Sequence, residues 1–164
     1  MPFNIPSFDV GSGGSGAGAI QTFSLATADA QFPLGPDGAH YDRLFCTQTV
    51  TVSSMSYWLT QLDAGDLQMG IYDAADNLLS STAVTPISGS LGPSAVALSS
   101  AVALAPGYYL FALWCDAVDA LFLAQSLRFT GASPNLARFQ GGLASLPAVA
   151  GGGDDGGRFY LNAF

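Results

Sequence analysis

The stretch Asp66-Leu-Gln-Met-Gly-Ile-Tyr-Asp-Ala-Ala-Asp-Asn-Leu-Leu79 restricts the fold more than any other part of this chain. Leu67, Met69 and Ile71 alternate with Gln68 and Gly70, the period-two pattern of a strand with one buried face. Asp73-Ala-Ala-Asp76-Asn77 then supplies a corner, because short Asp and Asn side chains bond nearby amides and tolerate left-handed backbone. Leu78-Leu79 opens the return strand. The expectation is a hairpin within an antiparallel sheet.

Three further segments extend that reading. Val50-Thr-Val-Ser-Ser-Met-Ser-Tyr-Trp-Leu-Thr60 is rich in β-branched and aromatic residues, and its parity breaks between Val52 and Met55, the mark of a bulge. Ser94-Ala-Val-Ala-Leu98 is echoed by Ser100-Ala-Val-Ala-Leu104. The offset is even, so Val96, Leu98, Val102 and Leu104 share one strand face, and Ala95, Ala97, Ala101 and Ala103 form the other. Ala105-Pro106-Gly107 turns the chain into Tyr108-Tyr-Leu-Phe-Ala-Leu-Trp-Cys115, apolar on both parities. Such a strand is central and covered on both sides, by the other sheet, a loop or a neighbouring subunit.

Shorter strands are expected at Thr22–Leu25, Tyr41–Phe45, Ala120–Ala124 and Arg158–Phe164. Gln31–Gly38 reads as a loop, and Ser133–Ala150 as irregular. No segment keeps a helical period. The fold expected is all-β: an antiparallel two-sheet β-sandwich, jelly-roll-like, over residues 21–164.

Residues 1–20 read as an extended N-terminal arm and tether. Phe3, Ile5, Phe8 and Val10 are apolar, Pro2 and Pro6 disfavour helix, and Gly11–Gly18 is a flexible composition. An apolar peptide on a glycine tether suits docking against other molecules.

At 164 residues the chain holds one domain with a full core. It contains no Lys and no Glu; its cations are Arg43, Arg128, Arg138 and Arg158, and the net charge is −8. That balance repels a phosphate backbone and excludes nucleic-acid binding. No apolar run approaches the roughly 20 residues of a membrane span, and the N-terminus lacks a secretory pattern, so folding in the cytoplasm of the producing cell is expected. With so few charges, much of the surface is expected to meet other protein.

Cys46 and Cys115 fit buried thiols, with a bridge between facing strands as the alternative. His40, the sole histidine, sits in the loop-like Asp37-Gly-Ala-His-Tyr-Asp42 without a nucleophile elbow, so no enzyme is expected. Asp63/Asp66, Asp73/Asp76 and Asp116/Asp119 share an i, i+3 spacing, and Asp154-Asp155 lies among glycines. Turn chemistry explains these pairs with no ion; calcium held by carboxylate oxygens is the alternative, and no other cofactor is expected. Tyr57, Trp58, Tyr72, Tyr108, Tyr109 and Trp114 are core aromatics by the ordinary reading, and a sugar-stacking platform or subunit interface by the other.

The order Thr49–Tyr57, then Leu67-Gln-Met-Gly-Ile-Tyr-Asp73, then Val102-Ala-Leu-Ala-Pro-Gly-Tyr-Tyr-Leu-Phe-Ala112 resembles the jelly-roll sandwich domains of tailed-bacteriophage virion proteins. The motifs that carry it are Gly70-Ile-Tyr-Asp73 and Leu104-Ala-Pro-Gly-Tyr-Tyr109, and it covers about residues 40–125. Other β-sandwich modules, carbohydrate-binding ones included, share both motifs. The resemblance implies a non-enzymatic virion part: a capsid decoration, head fibre or tail fibre. On that reading Phe3, Ile5, Phe8, Val10, Tyr108, Leu110 and Trp114 form interfaces. Residues 1–20 join other virion proteins, and the domain is a homo-oligomer, by analogy a trimer, that could meet a host-surface glycan. The competing expectation is a soluble carbohydrate-binding module.

Overall fold

The computed structural model describes residues 20–21, 30–33, 35–87, 91–126, 137–154, 157–159 and 161–163. Phe3, Ile5, Phe8 and Val10, the glycine tether, the strand expected at Thr22–Leu25, and Asp155 lie outside those residues. Among the described residues there are strands and turns and no helix, arranged as two antiparallel sheets.

One sheet is organised on β4 (Val50–Gln61). β8 (Gly92–Leu104) runs along one edge of it, from Val50↔Leu104 to Leu59↔Gly92. The opposite edge is shared: β14 (Leu161–Ala163) pairs with Met55–Tyr57, and β10 (Leu121–Ser126) pairs with Leu59 and Gln61. β1 (Ile20–Gln21) adds to β14, while β2 (Ala30–Pro33) and β13 (Gly157–Phe159) add to β10.

The second sheet is centred on β9 (Gly107–Cys115), flanked by β3 (Gly38–Cys46) and β5 (Asp66–Tyr72). β11 (Ala137–Gln140) and β12 (Gly153–Asp154) continue outward from β3. β6 (Leu78–Ser81) and β7 (Thr85–Pro86) pair along the far edge of β5. The hairpin expected from Leu67 to Leu79 is therefore β5–β6. Asp73 Oδ1 accepts the amides of Ala75 and Asn77 at 2.9 and 2.8 Å, and Asp76 takes the left-handed conformation at φ 69°.

The core between the sheets draws Val52, Met55, Tyr57, Leu59, Leu104 and Phe122 from the first and Leu44, Leu67, Met69, Ile71, Phe111 and Leu113 from the second. Each of these large side chains contributes up to roughly 1.5–3 kcal/mol by leaving water. The alternating faces of β8 fall as the echo requires: Val96, Leu98, Val102 and Leu104 pack inward, and Ala95, Ala97, Ala101 and Ala103 face solvent. The parity break in β4 is also where its register with β8 shifts, between Val52 and Ser54. There the middle of β8 leaves the ladder and reaches the other sheet. Leu98 bridges to Thr82, and Ser80 Oγ donates to the Ser100 carbonyl at 2.8 Å. The excursion stitches the two sheets along one seam.

β9 is covered on both sides, and its outer cover is the chain's own segment 141–151. Leu146 and Ala150 join Ala39, Tyr41, Tyr72, Leu110, Ala112 and Trp114 in a second apolar cluster on the outer face of the β9 sheet. Hydrogen bonds fix this strap along its length. Trp114 Nε1–H donates to the Leu143 carbonyl (2.9 Å), Tyr72 Oη–H to the Pro147 carbonyl (2.8 Å), and the Leu146 amide to Gln68 Oε1 (2.9 Å). The Leu78 amide donates to Ala148 and the Ala150 amide to the Asp76 carbonyl. Gly70 allows the close approach, since a Cβ there would stand 2.8 Å from Leu146 Cδ1. Arg138 grips Asp76 with both terminal guanidinium nitrogens, at 3.0 and 2.6 Å, tying β11 to the hairpin tip.

Four local expectations need correction. His40 is on a strand rather than in a loop, because β3 pairs with β9 without interruption from Gly38 to Cys46. Ala30–Pro33 is an edge strand on β10, a place where proline's missing N–H is tolerated. Ala137–Gln140, inside the stretch read as irregular, pairs with β3. The last strand is divided into β13 and β14, which serve two different neighbours.

Candidate functional site

Phe45 and Tyr108 form the most exposed aromatic pair among the described residues. They are directly opposed in the β3–β9 register, on the same outer face as Tyr41 and Leu110. The bonds that fix the strap lie toward Trp114, Tyr72 and Gln68, and the last turn of the face is left uncovered. Phe45 is 46% exposed and Tyr108 45%. Their rings meet edge to face, with centroids 4.8 Å apart at 62°, the arrangement aromatic quadrupoles favour. Arg43, two residues before Phe45 on this face, places its guanidinium carbon 5.4 Å from the Tyr108 ring centroid. Such a contact contributes about 0.5–1 kcal/mol at an exposed position. The patch presents two exposed π-surfaces, a set suited to stacking against an apolar or ring-bearing partner.

Leu110 and Trp114, expected at an interface with Tyr108, are removed from it by burial under the strap, at 3% and 2% exposure. Their second layer is a loop of the same chain. Tyr57 and Tyr72 are likewise in the interior, Tyr57 edge to face with Phe122 and Tyr72 with Tyr41. Burial pushes the Tyr41 phenol up to about 12 and the Tyr72 phenol higher still, so both remain neutral donors under the strap. Of the expected interface set, Tyr108 stays accessible, and Phe3, Ile5, Phe8 and Val10 are outside the described residues.

Four of the paired aspartates, Asp63, Asp73, Asp76 and Asp116, use their carboxylates as local ties. Asp63 accepts the amides of Asp119 (2.8 Å), Val118 (3.1 Å) and Ala64 (2.8 Å), and these bonds hold its carboxyl below the usual range. Asp116 accepts the Asp66 amide, and the Asp116 amide donates to the Asp66 carbonyl, lacing the β4–β5 loop to the β9–β10 loop. Asp73 is lowered by the amide and side chain of Asn77, while Asp76 is held by Arg138. Among the described residues no three acidic, His or Cys side chains gather as a metal site. The carboxylates of Asp63, Asp73 and Asp116 accept backbone amides, and that of Asp76 accepts the Arg138 guanidinium. The Asp154 side chain is outside the described set.

His40 and Asp42 point inward from β3, both fully buried, with Nε2 3.6 Å from Oδ1. Neither can touch a substrate in this position. Cys46 and Cys115 are free thiols at opposite ends of β3–β9, paired respectively with Gly107 and Gly38, which rules out the bridge. Burial raises both to about 11.

The residue that sequence reasoning passed over is Phe45. Its signal was its register: opposite Tyr108, two residues from Arg43, at the end of a strand whose partner is apolar on both parities. The geometry defines an all-β sandwich with an aromatic patch at one end of a strapped outer face. No protein-family model and no curated protein matches the chain.

Proposed function

We propose that this chain is a non-enzymatic structural protein of a tailed-phage-like virion, anchored through residues 1–20 and displaying its β-sandwich on the particle surface. The observation that carries the reading is the outer face of β4 and β8. Ala95, Ala97, Ala101 and Ala103 are exposed there beside Thr51 and Ser53, a long surface of small side chains with no charge. A surface without protruding charged side chains lets the same face of a neighbouring subunit approach closely, with little charge to desolvate. The resemblance over about residues 40–125 supports the same class. The engagement of the paired aspartates in turns, and the burial of His40, favour a scaffold over a catalyst.

The test is sedimentation of the full chain over a wide concentration range, with antibody labelling of particles from the producing culture. Concentration-dependent assembly and labelled particles support the proposal. A chain that stays monomeric throughout and is absent from particles overturns it.

A second reading, a soluble carbohydrate-binding module, is favoured by the exposed Phe45–Tyr108 pair, whose ring faces could stack on a sugar. Glycan-array binding lost in Tyr108→Ala would favour it. Silence of the array, with or without chelator, counts against it.

A further inference from the structure

We infer that residues 143–163 form an exchangeable limb, which one copy of the chain lends to the body of a second copy while receiving that copy's limb in return. This deepens the subunit role proposed above and rests on it.

The contacts of the limb all run across one joint. In the strap, the Leu143 amide donates to the Asp37 carbonyl, the Leu146 amide to Gln68 and the Ala150 amide to the Asp76 carbonyl. The carbonyls of Leu143, Pro147 and Ala148 accept from Trp114, Tyr72 and Leu78, and Val149 sits opposite Asn77 in an isolated bridge. Farther along, β12 pairs with β11, β13 with β10, and β14 with β4 and β1. Each of these partners precedes Gly141 in the chain. Among the described residues the limb lies across both sheets as a clasp, bonded to the body with no described bond between two of its own parts.

A limb of this kind can be traded without loss. In a reciprocal exchange every bond is remade with the identical residue of the neighbour, so the closed and exchanged forms differ only at the joint and in the number of copies. Protein concentration then decides between them.

The joint is Gly141-Gly142. β11 stays with the body, because it pairs with β3 from Ala137↔Asp42 to Gln140↔Ala39. Directly after it Gly142 takes the left-handed conformation at φ 72°, where the chain leaves β11 for the strap, and a Cβ there would meet nothing within 4 Å. Glycine moves between that conformation and an extended one at little cost, so the same residue serves a returning and an outgoing path. The strap's hold is also light. Leu146 and Ala150 are its buried side chains, at 7% and 6% exposure, and local opening is easiest where few apolar contacts must break.

The experiment uses the full-length chain with a photo-crosslinking benzoylphenylalanine in place of Val149, which is 57% exposed and tolerates bulk. Equal amounts of unlabelled and 15N-labelled chain are unfolded together, refolded at high concentration and separated by size. In the multimer fraction about half of the crosslinks from position 149 to the peptide holding Asn77 should join a light copy to a heavy one, as random pairing requires. The monomer fraction should give crosslinks within one copy. Gly142→Pro, which cannot adopt a positive φ, should raise the multimer-to-monomer ratio about tenfold at fixed concentration. Inserting Gly-Ser-Gly-Ser between Gly141 and Gly142 should lower that ratio, and this variant decides the matter if the proline chain fails to fold. Multimers whose crosslinks all stay within one copy overturn the exchange and leave the subunit role standing. A ratio indifferent to the insertion also overturns the exchange. A chain that is monomeric at every concentration overturns both.

Discussion

Trp114 and Leu143 are joined by a hydrogen bond of 2.9 Å from the indole Nε1–H to the main-chain carbonyl. Through it a large buried side chain on the outer face of the central strand holds the segment that buries it. The strap therefore acts as a third layer of the fold, and its loss would uncover Tyr41, Tyr72 and Leu110 together.

Two substitutions probe that layer. Leu146→Ala should cost about 2–5 kcal/mol, because it leaves a cavity over Gly70 and Leu78. Trp114→Phe keeps most of the apolar area and strands the Leu143 carbonyl, costing about 1–3 kcal/mol. Chemical denaturation checks both. Amide exchange should rise at residues 143–150 in each variant, and if it rises equally everywhere the strap is not a distinct layer.

Gly65 is a packing requirement of the aspartate-laced loops. A Cβ at that position would meet Asp116 Oδ1 at 2.6 Å and the Ala117 Cβ and Cα at 2.8 and 2.9 Å. Backbone atoms cannot step aside as a side-chain tip can, so Gly65→Ala should destabilise by roughly 1–3 kcal/mol. A melting temperature unchanged from the parent chain would contradict this.

Acid stability should follow Asp63 and Asp73. Both are held below the usual carboxylate range by amides that bond the ionised form best. A lowered folded-state value means that the stabilisation is present above the unfolded value and is lost as the pH falls through the folded one. Melting temperature should be flat near neutrality and drop below about pH 4. In Asp63→Asn the neutral-pH value should be lower and the acid drop shallower.

The thiols should be silent in the native state. With Cys46 and Cys115 buried and raised to about 11, a thiol reagent at pH 8 meets about one thiolate in a thousand. Both should react fully after denaturation. Rapid reaction of either in the native protein would contradict the packing.

The period-two runs at Leu67–Ile71 and Val50–Leu59, the echo in β8 and the two-sided β9 were legible because each pattern maps onto a burial face. The parity break at Val52–Met55 even marked the slip between β4 and β8. What covered β9 could not be read. A loop such as 141–151 carries its information in main-chain hydrogen bonds to Trp114, Tyr72 and Gln68, which leave no periodic trace. Short strands such as Ala30–Pro33 and Ala137–Gln140 were missed for a related reason: their neighbours, more than their own composition, make them strands. For the site, the exposed Tyr108 was legible and Phe45 was not, because register across β3–β9 pairs them.

The strap has an implication for synthesis. β3, β5 and β9 are all complete by Cys115, yet the residues that roof their outer side come from 141–151 and the first sheet gains β14 only at Leu161–Ala163. A nascent chain must therefore carry an unroofed greasy surface until residues 141–151 have emerged, the interval in which sticking to other chains is most dangerous. Slow translation after Cys115 should lower the yield of folded product more than the same delay placed before it.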